Sequence, residues 1–469
     1  MLGYITIHLI GKINYNKIWR EQKQKAMRLN TRFITAQTYI HNIYIATYPP
    51  VDVKWEDLSR SQEIKKNTHM YQYYVDHVSS MEEFQRLYQH FTNRFQPFSI
   101  PNTELEMEQM SFYLQSKLHS FIYRRQQEEK ALFSNGQPRI TTIFLVMNIL
   151  FFLFIEAKGG STSTLTLITY GAKYNPAILD GEWWRIISSM FIHIGILHLF
   201  MNMLALYFVG SAVEKIYGSG RFTFIYVGAG IMGGLASFAW NPQIAAGASG
   251  AIFGLLGALL FFGVNYKRVF FQTMGWNLII VILLNIVFGV TVPQIDNGAH
   301  MGGLIGGFVA AAIVFFPSKR NLKVQLLACL SFCVIISGLL VYGLTNMSAH
   351  YSAVVQTQLA QELIEQENYQ EVIEVTTLAI DEQVQSYQAE LHFFRSYAWL
   401  QLGRVEEATN DLLHVVQIDS SFAEAHYNLA LIYADEGNVE EAHDHAERAS
   451  QLQPSNQDFQ DLFQRLSKE

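Results

Sequence analysis

Apolar residues gather into seven long runs in the middle and later part of the chain, with polar residues between and around them. The runs cover about 140–157, 190–213, 221–240, 249–266, 276–292, 298–316 and 322–345. Each approaches the roughly 20 residues that a helix needs to cross a hydrocarbon core of about 30 Å. Because backbone groups in lipid must hydrogen-bond to one another, we expect seven transmembrane helices.

The polar region before the first run has a weaker pattern. Residues 15–34, 53–66 and 81–95 favour helices, 102–130 favours a longer polar helix, and 42–48 (NIYIATY) alternates like a strand. We therefore predict a small N-terminal domain that is either α/β or mostly helical. Its histidines are scattered without the close spacing of a ligand set, so we interpret them as surface residues rather than a metal sensor. They are His8, His41, His69, His77, His90 and His119.

The region after the last apolar run repeats itself. The segment 402–408 (LGRVEEA) recurs at 436–442 (EGNVEEA), an offset of 34 residues, and a degenerate copy lies at 367–372 (ENYQEV). This is the tetratricopeptide signature, a helix–turn–helix unit that buries its apolar face by stacking on its neighbours. We predict a short α-solenoid that ends in a closing helix at 456–467. Its concave face is expected to dock a peptide or a protein, unless the solenoid serves only its own stability or a dimer.

Composition divides the chain in the same places. Residues 1–139 hold 18 Lys/Arg and 13 Asp/Glu, residues 140–345 hold 10 and 5, and residues 346–469 hold 5 and 22. Fifteen charges in the middle region are far below the roughly 25% of a soluble protein, which excludes a single soluble globule. The acidic tail repels phosphate, so we expect no nucleic-acid partner.

Basic residues in the short loops predict the orientation in the membrane. Alternate loops carry Lys or Arg, whereas 241–248 and 293–297 have none, so the N-terminus is predicted in the cytoplasm and the C-terminus outside. The basic residues of these loops are Lys215, Arg221, Lys267, Arg268, Lys319, Arg320 and Lys323. The longer outer loop 158–189 departs from this pattern, because it contains basic residues and tryptophans and is expected to lie in the membrane interface.

Four polar residues lie in apolar runs, where such groups are costly and usually functional. His198 and Asn202 share one face of the second run, Ser249 opens the fourth, and His300 lies near the start of the sixth. With the predicted orientation, all four lie at a similar depth just below the outer surface. Each has an ordinary interpretation by itself, as a helix cap, a packed core histidine or a transport site. Their common depth favours a shared chemical role.

These residue types suit nucleophilic catalysis. A serine hydroxyl becomes a nucleophile when a base accepts its proton, and histidine is the usual base near neutral pH. The tetrahedral oxyanion then needs donors, which the helix start at Ser249, the amide of Asn202 and the ring of His198 could supply. Few other buried charges line the runs, which argues against a transporter or a metal channel.

Glycines in two runs predict close contact between the helices that carry Ser249 and His300. On the sixth run, Gly302 with Gly306 and Gly303 with Gly307 form overlapping small-xxx-small patterns. The fourth run has glycines at 250, 254 and 257. Such patterns let two helix backbones touch. We therefore expect Ser249 and His300 within hydrogen-bond reach.

The segments 247–250 (GASG), 198–202 (HLFMN) and 299–303 (AHMGG), with 181–185 (GEWWR) in the outer loop, resemble the rhomboid intramembrane serine proteases. The resemblance covers about 140–317. A seventh span, a tetratricopeptide tail and a cytoplasmic N-terminal domain resemble the GluP-type rhomboids of Gram-positive bacteria. The implied fold is an all-α polytopic membrane protein with a six-helix core and a seventh transmembrane helix.

The resemblance implies a dyad of Ser249 and His300 without a third acid and without metal or cofactor. It implies an oxyanion hole of His198 and Asn202 shaped by Gly247. Phe253 is expected to stack on the histidine, and Arg185, Gly302 and Gly306 to have supporting roles.

We thus predict a serine endopeptidase of the bacterial cell membrane that cleaves transmembrane proteins near the outer face. Its expected segments are a cytoplasmic domain at 1–139, a protease core at 140–317, a seventh helix at 318–346 and an extracytoplasmic tail at 347–469. The alternative is an inert rhomboid-like scaffold that recruits partners through its tail.

Overall fold

The computed structural model describes residues 2–9, 38–45, 61–65, 68–75, 80–90, 103–292, 295–317, 319–381 and 387–468. The chain forms two compact units, Met1–Leu118 and His119–Glu469. The predicted protease core, the seventh helix and the tail thus belong to one unit.

The N-terminal unit contains a four-stranded mixed sheet. Its strands are β1 (Leu2–Leu9), β2 (Thr38–Ile45), β3 (Ser61–Lys65) and β4 (Thr68–Val75), in the spatial order β1-β2-β4-β3. β2 pairs in parallel with β1 and β4, and β3 pairs antiparallel with β4. Helix α1 (Ser80–Gln89) packs Leu87 against Ile43 and Tyr73 of the sheet. The unit is therefore α/β, one of the two predicted classes.

Four predictions for the region before the first apolar helix need comment. A helix over 53–66 is wrong at Ser61–Lys65, which forms an edge strand because β4 offers it a hydrogen-bonding partner. A surface position is wrong for His41, which is 3% exposed and stacks between Tyr71 and Tyr73. The helix predicted over 15–34 lies outside the described residues. The long polar helix is confirmed as α2 (Glu104–Ala131).

Seven apolar helices lie at the seven predicted positions. They are α3 (Arg139–Ala157), α7 (Gly195–Tyr217), α8 (Ser219–Trp240), α9 (Ser249–Asn265), α11 (Gly275–Thr291), α12 (Asn297–Val314) and α13 (Leu322–Thr345). Five of these described helices are long and apolar enough to cross a membrane, and α11 joins them if the short helix α10 (Lys267–Thr273), bent from it by 73°, counts as part of the same span. α9 and α11, with 17 residues each, are shorter than the others.

The centre of the helix bundle is formed by α8, α9 and α12. α8 and α9 bury most of their residues, and α12 packs against both through its glycines. α11 is mostly exposed, and its buried residues are Gly275, Leu278, Ile282 and Gly289. Ser249 and His300 therefore lie on helices of this centre, whereas His198 and Asn202 lie on the more exposed α7.

The outer loop between α3 and α7 contains short helices. They are α4 (Thr164–Thr169), α5 (Asn175–Leu179) and α6 (Arg185–Ser188). At the other end of the bundle, Glu214 of α7 accepts hydrogen bonds from the backbone N–H groups of Ile140 and Thr141 and from the hydroxyl of Ser219. This carboxylate holds the starts of α3 and α8 together at the face opposite the outer loop.

The tail is the predicted solenoid of helix pairs. The pairs are α14 (Ala353–Glu365) with α15 (Tyr369–Asp381), α16 (Gln388–Gln401) with α17 (Val405–Ile418), and α18 (Ala423–Asp435) with α19 (Val439–Leu452). The closing helix is α20 (Gln457–Leu466). Small and aliphatic residues such as Ala408, Leu412 and Ala425 are fully buried between the helices. The degenerate first copy thus forms a complete helix pair.

Candidate active site

Ser249 and His300 are in contact. The Oγ of Ser249, the first residue of α9, lies 3.0 Å from the Nε2 of His300 in the first turn of α12. The ring of Phe253, one turn along α9, stacks on the imidazole with centroids 4.1 Å apart and planes inclined by 9°. The imidazole is therefore oriented by an aromatic face while one of its nitrogens points at the hydroxyl.

The helices approach closely enough because glycines line the contact. A Cβ added at Gly303 would lie 2.0 Å from the carbonyl oxygen of Gly250, and one at Gly307 would lie 1.9 Å from that of Gly254. Gly302 and Gly306 serve a different neighbour, because a Cβ at either would meet Met232 of α8. The overlapping glycine pairs of α12 thus bind two helices, one on each side, rather than α9 alone.

The other polar residues of α7 lie beside the start of α9. Gly247 has a φ of +142°, and a Cβ there would come within 2.7 to 2.9 Å of the ring of His198. The absence of a side chain at Gly247 thus makes room for the imidazole. The amide nitrogen of Asn202, which is 6% exposed, donates one hydrogen bond to the carbonyl of His198 at 3.0 Å. Its second N–H remains available for another acceptor.

A cavity of about 630 Å³ connects these groups. Its polar lining includes Ser249, His300, His198 and Asn202. Apolar residues of α9 and of the segment 244–247 form much of the rest, and Met201 and Val209 of α7 and Val281 of α11 also contribute. The cavity is large enough for a short peptide segment, and its polar groups lie at one end of the buried helices.

The segment before Ser249 is held by residues of the outer loop. The N–H of Gly247 donates to the carbonyl of Ser189 at 2.9 Å, and the N–H of Ala248 lies 3.4 Å from the Nε2 of buried His193. Lys173 forms a backbone bridge with Ala245. These contacts determine the path of the chain into α9.

Lys173 contributes with its side chain as well. It is 1% exposed, and its Nζ donates to the carbonyls of Asn241 and Gln243 at 2.6 and 2.7 Å. Burial lowers the pKa of Lys173 to about 8, although the Asp296 carboxylate opposes this shift. The only sequence signal for this role was a lone lysine between Lys158 and Asp180 in the loop.

Asp296 and Arg185 support the same region from two sides. Asp296 caps α12 by accepting from the N–H of Ala299 at 2.8 Å and also binds the hydroxyl of Ser237. Arg185 donates to the carbonyls of Ile168 and Ala172 at 2.6 and 3.2 Å. Arg185 could be identified through the family resemblance, whereas the only sequence signal for Asp296 was its position four residues before His300, which indicates a helix cap.

The chain is similar to known proteins in its membrane part and in its tail. The family described as Rhomboid domain matches residues 180–317, and tetratricopeptide repeat families match 397–437 and 423–456. The rhomboid protease GluP of Bacillus subtilis (strain 168) is 36% identical over 418 residues, covering 88% of this chain and 80% of that protein.

Two further relatives match shorter parts of the chain. The putative rhomboid protease YdcA of Bacillus subtilis (strain 168) is 30% identical over 184 residues, covering 39% of this chain and 92% of its own length. The rhomboid protease AarA of Providencia stuartii is 31% identical over 235 residues, covering 43% of this chain and 83% of its own length. With its apolar helix bundle and its likeness to GluP over most of both chains, this multi-pass membrane protein belongs to the rhomboid family of intramembrane serine proteases.

Proposed function

We propose that Ser249 is the nucleophile and His300 the general base of this protease. The carrying observation is the 3.0 Å separation of Ser249 Oγ and His300 Nε2 at one end of the buried cavity. For proton transfer, Nε2 must be the unprotonated ring nitrogen, so the neutral ring carries its proton on Nδ1. Stacking on Phe253 restrains the ring in this orientation.

The reaction follows from these positions. Ser249 Oγ attacks the carbonyl carbon of the scissile peptide bond while His300 accepts the hydroxyl proton. His300 then donates this proton to the leaving amine nitrogen, and the carbon–nitrogen bond breaks to leave an acyl ester on Ser249. Water enters, loses a proton to His300 and attacks the ester, which releases the new carboxyl end and restores the hydroxyl of Ser249.

The developing oxyanion is stabilised by donors beside the nucleophile. The first N–H groups of α9 have no intrahelical partner, and the second N–H of Asn202 and the ring of His198 lie at the same end of the cavity. Gly247 leaves the space that the His198 ring occupies. Such preorganised donors act on charge as it develops in the transition state.

We infer that a substrate helix enters between α7 and α11 rather than under the outer loop. The cavity reaches both helices, because its lining includes Met201 and Val209 of α7 and Val281 of α11. α11 buries few of its residues, so it can move aside at low cost. A locally unwound segment could then reach Ser249 with its backbone carbonyl exposed.

We infer that cleavage occurs near the outer membrane face. The Lys/Arg-rich loops lie at the Glu214 end of the bundle and Ser249 lies at the other, which favours a cytoplasmic N-terminus and an extracytoplasmic tail. The functional segments are then the cytoplasmic domain at 1–139, the protease core at 140–317, the seventh helix at 318–346 and the outer tail at 347–469. The tail recognises a protein partner, as its repeat fold indicates.

The test is cleavage of a reporter with a single transmembrane segment by the full chain in detergent. We expect Ser249→Ala and His300→Ala each to lower kcat by about 1000-fold or more. The exposed residues Ser348 and His119 provide controls, and Ser348→Ala and His119→Ala are expected to retain parental rates. Parental cleavage by Ser249→Ala would refute the dyad.

The same proteins distinguish an enzyme from an inert scaffold. A serine-reactive probe is expected to label the parent at Ser249 and to leave Ser249→Ala unlabelled. A folded parent that neither cleaves the reporter nor reacts with the probe would support the scaffold instead.

A further inference from the structure

The first helix of the tail lies directly against the outer loop of the protease core. The half-buried carboxylate of Glu362, on α14, accepts three hydrogen bonds at the start of α4. The donors are the hydroxyl of Ser163 at 2.6 Å and the backbone N–H groups of Thr164 and Leu165 at 2.8 and 3.0 Å. A carboxylate with this many partners forms a strong and specific contact.

Apolar and neutral polar contacts extend this interface. Leu165 and Ile168 of α4 pack against the core of the first helix pair, which includes Leu359 and Leu363. Gln356 of α14, fully buried, exchanges hydrogen bonds with the hydroxyl of Tyr174 at 2.8 and 3.0 Å. The loop therefore contacts the tail both through α4 and through Tyr174.

The linker before the tail is attached to the same loop. The amide nitrogen of Asn175 donates to the carbonyl of Ala349 and also to those of Phe238 and Asn241. Asn346 donates to the carbonyl of Ala239 at 2.9 Å. The end of α13, the end of α8 and the outer loop thus meet at one place, and the tail begins there.

The loop that is attached to the tail also contacts the segment 241–248, which leads into Ser249. Ala172 and Lys173 follow α4, and Lys173 pairs with Ala245 and binds two carbonyls of the segment 241–248. Ala172 packs in one cluster with Ile244 and Ala246. Between Glu362 and Ser249 there is therefore a continuous series of hydrogen-bonded and packed contacts.

We propose that Glu362 is a positioning residue for proteolysis, through which the tail holds the outer loop and so the 241–248 segment in the geometry that Ser249 needs. The proposal rests on the proposed dyad. The tail is then a structural part of the outer face of the protease, in addition to any role in binding partners.

The loop needs such support because its own elements are small. The three α-helices between positions 158 and 189, a part of the chain that the structure describes throughout, are four to six residues long. Helices of this length do not persist without tertiary contacts. Without the Glu362 carboxylate, the N–H groups of Thr164 and Leu165 lose their acceptor, and α4 is freed to fray or shift.

The experiment compares three variants of the full chain in detergent with the transmembrane reporter as substrate. Glu362→Gln removes the charge and one acceptor atom, Glu362→Asp keeps the charge on a shorter side chain, and Glu365→Gln changes an exposed glutamate of the same helix. The rates give kcat and KM. Hydrogen exchange of the peptide spanning 158–170 reports whether α4 stays attached.

We expect Glu362→Gln to lower kcat by about 5- to 50-fold with KM within about twofold, because the lost bonds are charge-assisted and lie away from the substrate path. Hydrogen exchange in 158–170 should become faster in Glu362→Gln. Glu362→Asp should recover part of the lost kcat, and Glu365→Gln should match the parent in both measurements. If Glu362→Gln does not fold, the proposal is tested by comparing kcat and exchange in 158–170 between Glu362→Asp and Glu365→Gln.

Two results would overturn the proposal. Faster exchange in 158–170 with kcat unchanged would mean that the attachment exists but does not position the site. Unchanged exchange together with unchanged kcat would mean that Glu362 does not hold the loop. Either outcome leaves the dyad intact as long as Ser249→Ala abolishes cleavage, so the two proposals fail separately.

Discussion

Glycine has opposite uses in the membrane core and in the tail. In the core, a Cβ at Gly303 or Gly307 would overlap a carbonyl oxygen of α9 at about 2 Å, so the missing side chain allows the helix contact. In the tail, Gly403 and Gly437 end helices with φ values of +74° and +80°, and a Cβ at either has nothing within 4 Å. One region uses glycine for close approach, the other for backbone conformation.

The difference follows from the two solvents. Lipid is as apolar as the helix surfaces, so helices in the core associate through close fit and hydrogen bonds rather than through the removal of apolar surface from water. The tail helices lie in water and associate by burying residues such as Leu412, Val415 and Leu429, all fully buried. We therefore expect the core to tolerate added volume poorly where its helices touch, and the tail to respond mainly to changes at its buried polar groups.

The largest expected effect tests the close contact in the core. In Gly307→Ala the new methyl group meets the backbone of α9, which cannot rotate away, so α9 and α12 must separate. A displacement of 1 Å at the dyad costs about 100-fold in rate, and the strained contact also destabilises the bundle, so we expect cleavage to fall by more than about 1000-fold. The measurement is reporter cleavage together with thermal unfolding.

The control for this prediction is Gly338→Ala on α13. A Cβ at Gly338 has nothing within 4 Å, so we expect parental cleavage and an unchanged melting temperature. Equal behaviour of the two variants would contradict the idea that core glycines act through close approach.

A smaller effect is expected from a polar residue of the core. Asn202→Ala removes a donor beside the nucleophile, and we expect kcat to fall by about 10- to 1000-fold with little change in KM. Like Asn202, Asn265 donates from its amide nitrogen to the carbonyl four residues earlier at 3.0 Å. Asn265, however, lies at the end of α9 that is remote from Ser249. Asn265→Ala is therefore the matched control, and a similar loss in both variants would indicate a helix effect rather than an oxyanion donor.

The smallest effect is expected at a half-buried histidine pair of the tail. His426 and His445 lie with their Nδ1 atoms 2.8 Å apart, and burial lowers the pKa of both rings. Each ring in the folded tail therefore binds fewer protons than in the unfolded chain at pH values just below about 6.5, so the free energy of unfolding falls as the pH falls through this range. We expect the tail to melt about 2–5 °C lower at pH 5.5 than at pH 7.5.

The measurement is thermal unfolding of the full chain, in which hydrogen exchange of tail peptides reports the melting of the tail. His426→Gln with His445→Gln should remove most of this pH dependence, and the exposed His119→Gln should leave it unchanged. A tail whose stability does not change between these pH values would show that the pair does not titrate in this range.

Several elements could be predicted from local sequence alone. The seven apolar helices follow from run length, and the solenoid follows from the offset of 34 residues. The contact of Ser249 with His300 followed from depth and from glycine spacing, because two helices with matching small residues can meet in only a few ways. In each case, a regular pattern along the chain corresponds to one face or one level of the structure.

Other features depended on partners far away in the chain. Ser61–Lys65 is polar and has little strand pattern, yet it pairs with β4 as an edge strand. The glycine rows of α12 could not be assigned to two different neighbours until α8 and α9 were placed. The contact of Glu362 with α4 joins residues almost 200 positions apart, and it had no sequence signal beyond an ordinary glutamate on a helix.

The amino-acid sequence alone determined the number of apolar helices, the repeats of the tail, the charge of each region and the residue types that carry the chemistry. These properties are local or periodic, so short-range geometry is enough to interpret them. Only the tertiary structure decided which side chains surround the nucleophile, which loop atoms Lys173 binds and where the tail attaches. Such contacts depend on the distance between segments remote in sequence, and that distance is established only when the helices have packed.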